Sequence, residues 1–321
     1  MKAIRVHAPG GPDALRYEDV PPPSPGRTDL LVRLAAIGVN FIDVHHRAGT
    51  RGAAFPLIPG VEGAGTVEAI GSEVADVAVG DRVVYAGPLG AYAEYAAIPA
   101  SLAVKLPDEV EFPAAAATFL VGMTAHFLTH SLLPLEAGDA VLVHAAAGGL
   151  GHVLVQVASL RGARVLGTAS TPEKAEVARG CGAEQVLPYA QFDREARRLT
   201  GGQGVVAVYD SVGAATFSRS LDCLASRGWL VLLGESSGAV PPVDPRILTE
   251  KGSLVLARPT LADYVRTRVE LLHRARDVLE WIVAKRIRVH VDAVYPLEKA
   301  REAHARLARR QSIGKILLVP G

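Results

Sequence analysis

The stretch Ala140-Val141-Leu142-Val143-His144-Ala145-Ala146-Ala147-Gly148-Gly149-Leu150-Gly151 runs from strand-forming residues into an abrupt series of small ones. Small side chains let a backbone approach a ligand closely. A helical pattern starts at once, with Leu150, Val153, Leu154, Val157 and Leu160 on one face. A strand that turns sharply into a helix presents unpaired N–H groups at the positive end of the helix dipole. The ligand that suits them is an anion, above all a pyrophosphate. The pattern Ala146-x-Gly148-x-x-Gly151 departs from the three-glycine dinucleotide fingerprint at its first position. Taken alone, it also fits a tight turn that holds nothing.

A second group of residues bears on which dinucleotide would bind. In an NAD-selective fold, an acidic residue ending the second strand bonds the ribose 2′-hydroxyl. Here that strand ends Gly167-Thr168-Ala169-Ser170, without an acid to repel a 2′-phosphate. Lys174 follows Ser170 by one helical turn, and Tyr189 ends the next strand. Ser170, Lys174 and Tyr189 are therefore expected around a phosphate, which favours NADPH over NADH. A charge-assisted hydrogen bond contributes about 1.5–3 kcal/mol, so one lysine is worth roughly tenfold or more in preference.

These residues need a scaffold, and the chain has one. From residue 140 on, apolar strands alternate with helices. The strands are 140–143, Arg164–Ala169, Gln185–Tyr189, Val205–Val212, Gly228–Gly234 and Ser253–Arg258. Thr171-Pro172 opens one helix as N-cap and first residue, and Phe217, Leu221 and Leu224 mark another. Six such strands imply a parallel sheet covered on both faces. Before it, residues 1–121 read as a β-rich domain, with strands at 30–39, 63–71, 82–85 and 91–98. A helical pattern runs from about Phe112 past Thr124. After Pro259 come two amphipathic helices, one on Leu271, Leu272, Ala275, Val278, Leu279 and Ile282, the other on Ala300, Ala303, His304 and Leu307. The last strand is 315–319. Composition leaves open whether this tail forms a third unit or returns to the first.

The totals narrow the function classes. Among 321 residues, 49% are hydrophobic and 21% charged, which supports a sizeable core. A net charge of +1 argues against a dedicated nucleic-acid protein. Cys181 and Cys223 form no C-x-x-C and read as reduced thiols. No signal-peptide pattern opens the chain, and no uncharged apolar run is judged long enough to span a bilayer. The expectation is a cytoplasmic protein without a membrane partner.

Several segments, in order, resemble the zinc-independent, zeta-crystallin-like quinone oxidoreductases of the medium-chain dehydrogenase/reductase superfamily. They are Gly38-Val39-Asn40-Phe41-Ile42-Asp43, Pro59-Gly60-Val61-Glu62-Gly63-Ala64-Gly65, Val79-Gly80-Asp81-Arg82-Val83, Gly122-Met123-Thr124-Ala125, Ala145–Gly151 and Tyr209-Asp210-Ser211-Val212-Gly213. Ser236-Ser237-Gly238-Ala239-Val240 is similar to the bacterial members. The resemblance implies an α/β fold: a GroES-like β-barrel catalytic domain, residues 1–121 and 259–321, with an inserted six-stranded Rossmann NADPH-binding domain, residues 122–258. It also implies a homodimer built by Rossmann edge strands, here Ser253–Arg258.

The same resemblance implies NADPH:quinone reduction by metal-free hydride or electron transfer. The implied cofactor residues are Asn40, Thr124, Ala147, Gly148, Gly149, Leu150, Gly151, Thr168, Ser170, Lys174, Tyr189, Ser211 and Gly234. Zinc alcohol dehydrogenases of the superfamily carry Cys where this chain has Asn40 and His where it has Val61. Glu62 remains, but one carboxylate is not a zinc site. Asn40 is expected to donate its amide to a quinone oxygen or a ribose hydroxyl. His45 and Arg51 stand where bacterial relatives place pocket tyrosines, and they are expected to bias the site toward polar or anionic acceptors. Two other readings stay open: an NADPH-dependent reductase of α,β-unsaturated carbonyls, and a non-catalytic RNA-binding or crystallin-like role.

Overall fold

The strand Asp29–Val39 alternates buried and more exposed side chains as far as Ala35, then is buried on both faces. That switch marks where it passes from the rim of a sheet to its centre. A computed structural model describes residues 1–52 and 54–321. In it, Asp29–Val39 pairs antiparallel with Glu62–Ile70, Tyr95–Pro99 and Lys315–Val319. Arg82–Ala86 and Val104–Lys105 extend the sheet on one side. Val291–Pro296, parallel to Lys315–Val319, ends it on the other. Leu30, Val32, Leu34 and Ile37 meet Val67, Val83, Ile98, Ile316 and Leu318 in its core. The unit comprises Met1–Met123 and Val265–Gly321, so the tail returns to the first part of the chain. Among its helices are Arg268–Val283, opened by a Thr267–Glu270 capping box, and Ala300–Ala308.

One strand is shorter than its pattern. Residues 91–98 alternate in small and aromatic side chains, yet regular strand begins only at Tyr95. Ala91 and Tyr92 instead donate their backbone N–H groups to the distant carbonyls of Gly60 and Pro59, and the fully buried Tyr92 ring carries its hydroxyl into a polar network.

The second unit, Thr124–Tyr264, holds a six-stranded sheet. Its spatial order is Gln185–Pro188, Arg164–Ala169, Ala140–Val143, Val205–Asp210, Leu224–Leu232 and Val255–Ala257, all parallel. This is the doubly wound order 3-2-1-4-5-6, which reverses direction between its first and fourth strands. Leu142, Leu166, Leu187, Val208 and Leu230 fill the centre under Phe192, Phe217 and Leu221. Leu224, read as a helical position, opens the fifth strand, because the helix stops at Asp222 and Cys223 leads straight into the sheet. The helix Gly151–Leu160 ends before Gly162, whose φ of +80° suits only glycine without strain. Thr171 caps the helix Pro172–Gly180 by accepting the Lys174 N–H.

The helix Phe112–Phe127 continues as a wider turn to Leu132. By length and composition its 21 residues suffice to cross a membrane, contrary to the reading that no run did. Of its most apolar window, 72% is buried inside the protein, as in a core helix.

Candidate active site

The six-stranded sheet ends its first strand at Val143, and the chain then bends hard. Ala145 takes φ +51° and is partly exposed, whereas Ala146 and Ala147 are buried. Gly148 donates its N–H to Ala145 O at 2.8 Å, closing the turn. Gly148, Gly149 and Leu150 are half-exposed, and the helix begins at Gly151. A Cβ on Gly151 would overlap the Ala145 carbonyl, whereas one on Gly148 would lie 3.1 Å from the same oxygen. Gly151 is therefore the glycine that the close approach requires. A helix N-terminus carries N–H groups without partners inside the helix, the kind of donor set that suits a pyrophosphate.

Beneath this turn lies a buried polar chain that the sequence reading missed. The Ala145 N–H donates to Thr168 Oγ1 at 3.2 Å and to the Tyr189 hydroxyl at 3.1 Å. His144 Nδ1 sits 3.0 Å from Thr168 Oγ1, and its Nε2 sits 3.0 Å from Ser220 Oγ. Ser220 donates to Asp210 Oδ2 at 3.2 Å, which makes its oxygen the acceptor for His144 Nε2–H and leaves Nδ1 to accept from Thr168. Burial pushes the imidazole down to about 4, so it is neutral. Asp210 is held further by the N–H groups of Val212 and Gly213 and by the Thr216 hydroxyl. Thr168, expected among the cofactor residues, is thus fully buried, and its hydroxyl supports the turn from below.

Ser170 is exposed at the end of the second strand, and Lys174 is half-buried in the first turn of the following helix. The Tyr189 ring lies parallel to His144 with centroids 6.0 Å apart. Ser211 and Gly234 meet at the ends of the fourth and fifth strands, where a Cβ on Gly234 would come 2.9 Å from Ser211 O. Thr124 is half-buried in the long helix.

In the first unit, register brings a different set together. Ile316 pairs with Val39 and Ile37 with Gly63, so the ladders continue to place Lys315 opposite Asn40 and Glu62 beside Gly38. Lys315 Nζ donates to Glu62 Oε2 and to Asn40 Oδ1, both at 2.6 Å. Asn40 Nδ2 donates to Glu62 Oε2 at 3.0 Å and to Gly38 O at 3.2 Å. Leu120 N–H donates to Glu62 Oε1 at 2.6 Å. Glu62 and Lys315 are at most 1% exposed. A Cβ on Gly38 would overlap both the Glu62 carboxylate and the Ala116 carbonyl. The expectation that Asn40 donates to a ligand is therefore corrected: both its N–H groups are already bonded, and what remains is the second lone pair of Oδ1.

A further buried chain adjoins it. Asp43, in the helix Phe41–Arg47, accepts the Asn40 N–H at 2.8 Å and the Tyr92 hydroxyl at 3.1 Å. Arg47 donates to His304 Nδ1 at 3.0 Å, so His304 Nε2–H donates to the Tyr92 oxygen at 2.9 Å. Burial pushes His304 down to about 3 and Asp43 up to about 7, and it raises Tyr92 well above the usual phenol range. Asp43 Oδ1 has no partner among the described residues.

His45 lies in the last turn of the same short helix, and Arg51 lies four residues beyond its end. His45 is half-buried, with Nδ1 3.1 Å from Thr50 Oγ1 and its ring 5.8 Å from that of Phe41. Arg51 is exposed, and its charge helps to lower His46, which burial lowers most. As a zinc site this region does not fit. Asn40, Val61 and Glu62 offer a single carboxylate, and it already holds the Lys315 ammonium.

A six-stranded parallel sheet with a dinucleotide-type turn, joined in one chain to a mainly antiparallel unit built from both ends of the sequence, is the architecture of the medium-chain dehydrogenases and reductases. Residues 26–108 match the alcohol dehydrogenase GroES-like domain, and residues 149–281 match the zinc-binding dehydrogenase family. The chain is 44% identical to the quinone oxidoreductase of Pseudomonas aeruginosa, covering 99% of both chains. It is 39% identical to the 2-haloacrylate reductase of a Burkholderia species, covering 100% of this chain and 99% of that one. The crystal structure of Escherichia coli quinone oxidoreductase complexed with NADPH superposes with a TM-score of 0.97 at 40% identity, over 100% of both chains. The chain belongs to the quinone oxidoreductase family of that superfamily.

Proposed function

We propose that this protein is an NADPH:quinone reductase that transfers hydride, or electrons, to a quinone without a metal. The observation that supports the reading is the turn Ala145–Gly151 at the reversal point of the sheet, with Ser170 just past the neighbouring strand, Lys174 in the first turn of the helix after it, Tyr189 just past the next strand, and no acid among the three. In this reading the backbone of Ala147, Gly148, Gly149, Leu150 and Gly151 holds the pyrophosphate, and Ser170, Lys174 and Tyr189 hold the 2′-phosphate. Ser211, Gly234 and Thr124 line the cofactor's path, and Asn40 meets its nicotinamide ribose. Bound NADPH supplies the hydride. A quinone delocalises the incoming charge onto its own oxygens, so the protein has to orient, exclude water and stabilise rather than supply a strong acid. The Escherichia coli neighbour, solved with NADPH, supports this cofactor assignment.

The similarity to a 2-haloacrylate reductase favours a second reading, reduction of α,β-unsaturated acids or carbonyls. His45 and Arg51 suit such anionic acceptors. A homodimer through Val255–Ala257 and a cytoplasmic location complete the proposal. They are supported by that strand's place at the edge of its sheet and by two unpaired cysteines. The net charge of +1 weighs against an RNA-binding role.

The test is an NADPH-oxidation panel of benzoquinones, alkenals and unsaturated acids, run on the wild type and on Lys174→Ala. Quinone turnover, with a KM for NADPH raised roughly tenfold and that for NADH unchanged, is the expected result. Equal effects on both coenzymes would remove the phosphate role of Lys174. Turnover of alkenals or acids alone would replace the quinone.

A further inference from the structure

The two ends of an asparagine amide have nearly the same shape, and only their partners decide which end faces which way. At Asn40 three partners decide. The Lys315 ammonium has donors only, so the atom 2.6 Å from it is the amide oxygen. The Glu62 carboxylate and the Gly38 carbonyl have acceptors only, so the atom 3.0 and 3.2 Å from them is the nitrogen. A flipped amide would set NH₂ against NH₃⁺ and an oxygen against two oxygens. Lys315 in turn is held by Glu62, and Glu62 by the Leu120 N–H.

We infer that Lys315 is a positioning residue that fixes the polarity of Asn40, so that this half-buried amide meets its ligand as an acceptor. Lys315 is 1% exposed and reaches no ligand itself, so it acts through Asn40. The inference rests on the NADPH reading of the site and adds to it the kind of group that Asn40 takes. A quinone oxygen only accepts, and the lone pair of Oδ1 would repel it. A ribose hydroxyl of NADPH donates, and it is the partner that this polarity selects.

A charge exchange tests this. In Asn40→Asp/Glu62→Gln the ammonium keeps its counter-charge through the bond it already makes to position 40, and position 40 carries acceptors only; the bonds from position 40 to Gly38 O and from Lys315 to position 62 are given up. NADPH affinity, read from coenzyme fluorescence without any electron acceptor, is expected to stay within about tenfold of wild type, and so is kcat/KM. Asn40→Asp alone sets two carboxylates together, and Glu62→Gln alone sets donors against donors. Each single variant is expected to lose a hundredfold or more. A folded double variant as weak as Asn40→Asp would show that an N–H at position 40 is needed, and would overturn the inference.

A second variant covers the case in which the exchange does not fold. Lys315→Met/Glu62→Gln removes the ammonium without leaving a bare carboxylate. It is expected to weaken NADPH binding at least tenfold while leaving KM for the quinone unchanged, whereas Lys315→Arg in the wild-type background restores binding. Unchanged coenzyme affinity in Lys315→Met/Glu62→Gln would also overturn the inference. A wild type that binds NADPH but reduces no quinone would end the functional reading alone, since the affinity measurements stand without it.

Discussion

Asp43 is a carboxyl group that the fold holds out of water without an ion partner of its own, and that has a measurable consequence. Burial raises it from its usual 3.8 to about 7, with the Asn40 N–H and the Tyr92 hydroxyl only partly offsetting the loss of water. Between those two values the folded protein binds the proton and the unfolded chain does not. Stability therefore falls as pH rises through this window and levels off above about 7. From pH 5 to pH 8 the group titrates over about two units, worth roughly 3 kcal/mol. Asp43→Asn keeps the shape and one acceptor but has no titration, so it should lack this slope. The neutral, buried His144 and His304 act in the opposite sense, losing stability as pH falls below 6.5. Both are present in wild type and variant, and they cancel in the difference.

The assay is urea unfolding at pH 5, 6, 7 and 8, followed by Trp281 fluorescence in a Trp229→Phe background. Trp281 lies buried in the helix Arg268–Val283 of the same unit as Asp43, so it reports the relevant transition. With a urea slope of about 2 kcal/mol/M, the stability of wild type relative to the variant should rise by about 1.5 M in midpoint from pH 8 to pH 5. A difference that stays flat across those four pH values would refute the reasoning and place the proton elsewhere.

Two further outcomes concern glycines pressed against fixed groups. Gly38→Ala drives a methyl into the Glu62 carboxylate and the Ala116 carbonyl, and should cost about 3 kcal/mol or more by overpacking and loss of the buried pair; an unchanged thermal midpoint would contradict it. Gly151→Ala forces the Ala145 carbonyl aside and should weaken NADPH binding at least tenfold in a fluorescence titration, while Gly148→Ala, whose methyl has more room, should weaken it less; the reverse order would show that the wrong glycine carries the close approach.

The parts of this protein that could be read from its sequence are those whose cause is local. The strand at Ala140–Val143, the helix at Gly151–Leu160 and the Thr171-Pro172 cap follow from periodicity and from residues within one turn. Leu224 and residues 91–94 were misread because packing, not pattern, decides their state. At the site, Glu62 was set aside as a lone carboxylate because its partner lies on the last strand, and sheet register rather than spacing brings the two together. The polarity of Asn40 was misjudged for the same reason. His144 carried a weak signal, a polar residue at the end of an apolar strand, but its partners Thr168 and Ser220 come from separate elements.

The ammonium of Lys315 comes 253 residues after the carboxylate that it neutralises. During translation, then, the N-terminal part emerges from the ribosome with Glu62 bound for a dry interior and no counter-charge yet made. That segment cannot settle before its closing strand arrives, and a chain released short of that strand leaves an anion exposed or strained at the heart of the sheet. Neutralising that anion and closing the sheet are in this way a single event.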